Sequence, residues 1–179
     1  MKALIPLAQA IDKLNDKFAW LAEWAVLASC FISAGNALVR YGFSIGSNAW
    51  LEIQWYLFAA AVMLGAAQVL RVNEHVRVDL AYSRYPTRVK VYVDIFGLIV
   101  FLLPVMLALI YYSGPLALDK FHSGEMSQSA SGLIRWPVWA LIPLGSVLLI
   151  LQALSEVIKR VAWLRHEFEM DTHYERPLQ

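Results

Sequence analysis

The sequence predicts an all-α integral membrane protein with four transmembrane helices, an N-terminal amphipathic interfacial helix, and both termini in the cytoplasm. Hydrophobic residues make up 59% of the 179-residue chain and charged residues only 16%, whereas a soluble domain carries about 25% charge. The apolar residues also fall into four runs, each long enough to cross a hydrocarbon layer of ~30 Å as a helix. Composition and run length together therefore predict a membrane bundle.

The basic residues are distributed unevenly, and their distribution predicts the orientation. Twelve of the fifteen Lys and Arg residues lie before the first apolar run, between the second and third, or after the fourth. The other three, Arg40, Lys120 and Arg135, lie at the opposite ends of the runs. Because basic connectors are retained in the cytoplasm, we expect both termini and the 71–90 connector on the cytoplasmic side.

The segment before the first crossing, residues 1–17, has an amphipathic pattern. Apolar residues recur at three- and four-residue steps from Leu4 to Phe18, and Asp, Asn and Lys fill the gaps. This pattern is typical of a helix that lies on a membrane surface. We therefore expect a separate interfacial helix at this position.

The first two crossings, predicted over residues 18–41 and 50–71, carry small side chains at four-residue spacing. Such spacing lets two helices approach closely. The second crossing contains Ala61 and Gly65, flanked by further alanines, and is predicted to be the most closely packed helix of the bundle. The corresponding ridge on the first crossing comprises Ala25, Ser29, Ser33 and Ala37.

The third crossing is predicted over residues 91–112. Pro104 lies in its middle, where a proline removes a backbone hydrogen bond and should kink the helix. Gly114 and Pro115 follow the crossing, and this pair is predicted to end or bend the helix.

The fourth crossing is predicted over residues 136–158. Its apolar stripe continues among charged residues, which predicts a cytoplasmic helical extension and then a tail over residues 159–179. All of these elements belong to a single membrane domain, residues 1–179.

The chain carries no pattern typical of an enzyme or a cofactor protein. All four histidines lie outside the predicted crossings, so the facing intramembrane pairs that bind haem are missing. There is no Cys/His metal spacing and no Gly-rich phosphate loop. The near-neutral charge also argues against nucleic acid as a partner. We therefore expect no enzymatic activity, no metal and no cofactor.

Four stretches between Trp50 and Leu154 resemble a known family. They are WLEIQWYLF, LGAAQVLR, EHVRVDL and SGLIRWPVWALIPLG. The chain resembles the small four-helix (Q-type) membrane subunit of tripartite ATP-independent periplasmic (TRAP) transporters. Where many relatives have two adjacent acidic residues at the start of the second helix, this chain has Glu52 followed by Ile53.

The resemblance implies a non-catalytic small permease subunit in a bacterial inner membrane. Such a subunit scaffolds a large transport subunit that moves a carboxylate or related small solute with a sodium gradient. The implied partners are that large membrane subunit, a periplasmic solute-binding protein and membrane lipids. The alternative is a self-contained four-helix membrane protein, either a small proton-coupled transporter or a membrane assembly factor.

Two groups of residues at the non-cytoplasmic ends of the helices are candidate contacts for a partner or a lipid. Trp50, Glu52 and Trp55 lie at the start of the second crossing, although an ordinary aromatic belt would also explain the tryptophans. Arg135 and Trp136 begin the fourth. Three alternatives remain for Arg135: a pair with Glu125, an acidic face of the binding protein, or interfacial snorkelling.

A third group of candidates lies in the 71–90 connector. His75, Arg77 and Asp79 follow a two-residue step, so an extended backbone would place all three on one side. The alternative is a solvated basic loop that only sets the orientation of the protein.

Overall fold

A computed structural model describes residues 4–44, 46–73, 85–129 and 132–168. In this part of the chain, four helices are long and apolar enough to cross a membrane, and no strand is present. The all-helical class with four membrane-crossing helices is therefore confirmed. The helices are α1 (Ile5–Phe43), α2 (Asn48–Val72), α3 (Thr87–Ser123) and α4 (Trp136–Leu164).

The first helix differs from the prediction. α1 is one helix of 39 residues, about 58 Å long, and it does not break near residue 17. From Ile5 onward, the segment predicted as a separate helix is therefore continuous with the helix that contains the first crossing, and its position on the membrane surface stays a prediction. No Gly or Pro lies between Pro6 and Gly35 to interrupt the helix, and its polar stripe packs against α4.

α3 is a continuous helix with an irregular segment in its first half. Residues Gly97–Leu102 are π-helical, and the backbone N–H of Leu103 donates to the carbonyl of Leu98, five residues back. Pro104 follows directly after this segment. A proline inside a helix removes one backbone hydrogen bond, and the π-helical segment accommodates that change. Of the two alternatives for Gly114 and Pro115, the end of the helix is wrong, since α3 continues to Ser123 with Pro115 inside it.

The other three helices pack around α4. α1 and α2 form an antiparallel hairpin, α4 packs against both of them, and α3 packs mainly against α4. α4 is the most buried of the four membrane-crossing helices, and α3 is the least buried. The prediction that the second crossing is the most closely packed is therefore wrong.

The close packing of α4 is clearest at Gly145. A Cβ atom at this position would lie only 2.7 Å from the carbonyl oxygen of Met63 in α2, whereas a Cβ at Gly65 would lie 3.5 Å from the Cβ of Ala22. The closest backbone approach of the two pairs is thus at α2–α4, where only glycine fits. The small side chain that determines the packing belongs to the fourth helix.

The interior of the bundle is polar towards one end. Among fully buried side chains the largest are Gln152, Asn15, Ser146 and Ser155. Buried polar groups in a membrane protein are costly unless they are hydrogen-bonded. We therefore expect each of these side chains to have a hydrogen-bond partner.

Candidate functional site

Charged side chains from all four helices meet where α1 and α3 begin and α2 and α4 end. We call this group the ionic layer. Its members are Asp12 and Asp16 from α1, Arg71 from α2, Asp94 from α3, and Glu156, Lys159 and Arg160 from α4.

The centre of the ionic layer is one turn of α4. Glu156 forms ion pairs with both Lys159 and Arg160, which lie three and four residues later on the same face. Lys159 Nζ also lies 3.1 Å from a carboxylate oxygen of Asp12 in α1. Arg160 Nε lies 3.3 Å from a carboxylate oxygen of Asp94 in α3. This turn of α4 therefore links α1 to α3.

The second helix joins the ionic layer through a two-point contact. The guanidinium nitrogens of Arg71 lie 2.8 Å and 2.5 Å from the two carboxylate oxygens of Asp16. A bidentate pair of this kind fixes both the distance and the orientation of its partners. Ion pairs thus connect α1 with α2, α1 with α4, and α3 with α4.

Neutral side chains complete the surroundings of Asp12. Its Oδ1 accepts hydrogen bonds from Gln152 Nε2 at 2.9 Å and from Ser155 Oγ at 2.8 Å. Gln152 in turn accepts one from Asn15 Nδ2 at 2.7 Å. A carboxylate with two such donors and Lys159 beside it is well compensated for its removal from water.

These contacts occupy the charges of the ionic layer. Each of its seven members has an oppositely charged partner within the protein. Removing one member of a buried pair costs about 3–5 kcal/mol, because the other charge is left uncompensated. The arrangement therefore holds helices in fixed positions and does not present a free carboxylate or cation to a solute.

The opposite end of the bundle contains a second polar site, in the connector between α3 and α4. Glu52 of α2 is only 5% exposed, and it accepts hydrogen bonds from Ser127 and from the backbone N–H of Leu133. We call this contact the connector clasp. It joins the start of α2 to a segment more than seventy residues later in the chain.

Arg135 forms an ion pair within the same connector. Its Nη1 lies 2.7 Å from a carboxylate oxygen of Glu125, which also bonds to Lys120. Of the three alternatives for Arg135, the structure thus shows the pair with Glu125. The hydrogen bond from Lys120 is the main cause that holds the pKa of Glu125 below its usual value, and Arg135 adds to the effect.

The tryptophans predicted as contacts differ in exposure. Trp55 is 70% exposed and Trp50 is 49% exposed, so both can meet lipid or another protein. Trp136 is half-buried and packs edge-to-face on Phe121, with ring centroids 5.3 Å apart. Glu52, by contrast, is already engaged inside the chain.

The predicted packing residues are only partly covered within the chain. Ala61 and Gly65 of α2 are half-buried. On α1 the ridge divides: Ala25 and Ser29 are half-buried, and Ser33 and Ala37 are exposed. His75, Arg77 and Asp79 lie outside the described residues.

Sequence reasoning did not identify the ionic layer as a site. Lys159 and Arg160 lie in the predicted cytoplasmic extension of the fourth helix, and Glu156 lies near the end of the predicted fourth crossing. The α1 members lie in the predicted interfacial helix. A signal was present, because Asp12 and Asp16 share one face of α1 and Lys159 and Arg160 follow Glu156 at helical spacing. Acidic residues on one amphipathic segment and basic residues on another are consistent with packing of the two segments against each other, as well as with exposure of both to solvent.

The described residues contain no arrangement typical of catalysis or metal binding. No group of three or more His, Cys, Asp or Glu residues in this part of the chain could hold a metal ion. A groove of about 330 Å³ between α2 and α4 is lined by Ala59, Met63, Val138, Trp139 and Ile142, with Arg135 as its one charged residue. Its walls are apolar, so it offers few groups to bind a polar solute.

Comparison with known proteins identifies the family. The family model for the DctQ component of tripartite ATP-independent periplasmic transporters matches residues 29–162. No curated protein matches the chain. The match begins within α1 and ends within α4, so it extends beyond the stretches that carry the resemblance in the sequence, and four apolar helices fit a small membrane subunit. The chain therefore belongs to the DctQ family, the small membrane component of TRAP transporters.

Proposed function

We propose that this protein is a non-catalytic small permease subunit that scaffolds the large transport subunit of a sodium-coupled, binding-protein-dependent transporter. The transported solute is a carboxylate or a related small molecule. The observation that carries the scaffolding role is the ionic layer, which connects all four helices to one another by ion pairs.

A subunit that translocates solute by itself has two structural requirements that the ionic layer does not meet. It needs polar or ionisable groups that line a pathway in the membrane, and it needs segments that move relative to one another. Here Asp12 pairs with Lys159 and Asp94 pairs with Arg160 across helices, so relative movement of these helices would separate the charges. This favours a static part of a larger transporter.

The partners follow from the family. DctQ components work with a large DctM subunit and a periplasmic binding protein in TRAP systems. α3 supplies apolar surface for the large subunit or for lipid. Exposed apolar side chains on this helix include Phe96, Phe101, Leu107 and Tyr111. Two large apolar surfaces pack well within a membrane when their shapes fit.

The orientation is part of the proposal. The ends of α1 and α4 that carry the ionic layer lie at the same end of the bundle. The bias of Lys and Arg residues supports a cytoplasmic position for that end and an outward position for the connector clasp. The protein is then a multi-pass inner-membrane protein with both termini in the cytoplasm.

The test is purification of the tagged protein from its native membrane in mild detergent. We expect a larger multi-helix membrane protein to co-purify in a fixed ratio. Proteoliposomes that contain both proteins should take up solute only when the binding protein and an inward sodium gradient are present. Each component is omitted in turn as the control. Recovery of the protein only as a homo-oligomer that transports solute alone would overturn the proposal in favour of a self-contained transporter.

A further inference from the structure

Glu52 is a carboxylate in an unfavourable place for a charge. It lies in the first turns of α2, within a helix apolar enough to cross a membrane, and it is almost completely buried. A carboxylate in such a position requires hydrogen-bond partners to offset the loss of water. The partners of Glu52 come from the connector between α3 and α4.

The two oxygens of Glu52 bond to different arms of that connector. Oε1 accepts from the hydroxyl of Ser127, and Oε2 accepts from the backbone N–H of Leu133 at 2.8 Å. The two donors are six residues apart, on opposite arms. One carboxylate therefore holds both arms at the same time, and hydrogen bonds to a charged acceptor are stronger than neutral ones.

The connector itself is folded into two facing arms. Met126 and Ile134 form an antiparallel bridge, and the N–H of Ser127 donates to the carbonyl of Leu133 at 2.8 Å. Gly132 leaves no room for a larger residue, because a Cβ there would lie 2.7 Å from both the Cβ and the carbonyl oxygen of Ser127. The two arms of this Ser-rich connector therefore make regular contacts with each other.

A second side chain of α2 supports the same arm. The hydroxyl of Tyr56 donates to the carbonyl of Ile134 at 3.2 Å. Tyr56 lies one turn after Glu52, and residues four apart lie on the same face of a helix. Two successive turns of α2 thus hold neighbouring residues of the connector.

We infer that Glu52 is a positioning residue: its carboxylate holds both arms of the connector against α2 and fixes the shape that this face presents to the solute-binding protein. The inference rests on the proposed function for the identity of the partner. A surface held in one conformation loses less entropy on binding than a mobile one. Loss of the Glu52 contacts therefore weakens docking and leaves the transport step of the large subunit unchanged.

The experiment uses the complete transporter with a spin label at position 128. Gln128 is exposed, and Gln128→Cys is made in a Cys30→Ser background because Cys30 is the only cysteine of the chain. Glu52→Ala removes both acceptors, and Glu52→Gln keeps one acceptor and the size of the side chain. Glu23→Gln is the matched control, because Glu23 is exposed.

Two readouts are measured at equal amounts of assembled complex. We expect the label to become more mobile in the order parent, Glu52→Gln, Glu52→Ala. We also expect the concentration of binding protein that gives half-maximal uptake to rise about tenfold in Glu52→Gln, which corresponds to one lost hydrogen bond to a charged group. The maximal uptake rate should stay the same, and Glu23→Gln should match the parent in both readouts.

Unchanged label mobility in Glu52→Ala would overturn the positioning role. A fall in the maximal rate without a change in the half-maximal concentration would overturn the role in docking. These failures are distinguishable from failure of the proposed function, in which no larger subunit co-purifies. The mobility of the label in the isolated protein still tests the connector clasp in that case.

Discussion

The two ends of this bundle use buried carboxylates in different ways. In the ionic layer, Asp12, Asp94 and Glu156 each pair with a charged side chain on another helix or on the same helix. In the connector clasp, the partners of Glu52 are a hydroxyl and a backbone N–H on a loop. The first arrangement fixes helices relative to one another, and the second fixes a surface. Three experiments, in order of decreasing expected effect, test the ionic layer, the contact between α4 and α2, and the connector.

The largest effect is expected from Glu156→Gln in the ionic layer. This change keeps the shape of the side chain and leaves Lys159 and Arg160 with one carboxylate fewer. Breaking a buried charge pair costs about 3–5 kcal/mol, so we expect the Tm of the detergent-solubilised protein to fall by on the order of 10 °C. Thermal unfolding monitored by size-exclusion chromatography after heating measures it.

The control for this prediction is Glu23→Gln, the same chemical change at an exposed position of α1. It should leave the Tm within about 1–2 °C of the parent, since surface substitutions usually have small effects. Equal losses in the two variants would mean that the ionic layer contributes no more to stability than an exposed acid.

An intermediate effect is expected where α4 meets α2. Gly145→Ala places a methyl group 2.7 Å from the backbone oxygen of Met63, and overpacking of this kind costs about 1–3 kcal/mol. Gly65→Ala meets Ala22 at an ordinary contact distance of 3.5 Å and should be nearly neutral. Thermal unfolding of the two variants should therefore show a lower Tm for Gly145→Ala alone.

Gly35→Ala provides the opposite sign in the same series. No atom lies within 4 Å of a Cβ at this position, so the gain in helix propensity, up to about 1 kcal/mol, should raise the Tm. A loss of stability at Gly35 as large as that at Gly145 would show that α4 is not where the bundle is most tightly packed.

The smallest effect is expected from the titration of Glu125. Its pKa is lowered in the folded protein, chiefly by the hydrogen bond from Lys120. Its contribution to stability is therefore present above the usual carboxyl pKa and is lost as the pH falls through the lowered value. Lowering the pH should make a label at position 128 slightly more mobile.

Glu125→Gln should remove this part of the pH dependence and give the more mobile connector at neutral pH. Asp119→Asn is the matched control, because Asp119 is exposed and lies 3.9 Å from Lys120. A pH response of the same size in Glu125→Gln and the parent would assign the titration to another group.

The sequence predicted those features that depend on local patterns. Four apolar runs predicted four membrane-crossing helices, and the family match confirms the resemblance. The pair of Arg135 with Glu125 joins residues only ten positions apart, close enough to be considered from the sequence. Such features need no knowledge of how distant helices meet.

The features that were missed depend on long-range packing. Asp12 and Lys159 are 147 residues apart, and Glu52 and Ser127 are 75 apart, so nothing local joins them. The central position of α4 was missed for a related reason. Small residues occur on several of these helices, and only the fold shows that Gly145, and not Gly65, lies against a neighbouring backbone.

α2 joins the two polar ends, and its length has a consequence for the bilayer. Glu52 and Arg71 are nineteen residues apart in one helix, which corresponds to a rise of about 28 Å. The hydrocarbon core of a typical bilayer is ~30 Å thick. The distance along α2 between its two bonded charged side chains, Glu52 and Arg71, therefore matches the thickness of the hydrocarbon core. We expect lipids of matching acyl length to leave both side chains at the boundaries of the hydrocarbon core. In a bilayer of much longer lipids, one of the two side chains would lie inside the hydrocarbon core.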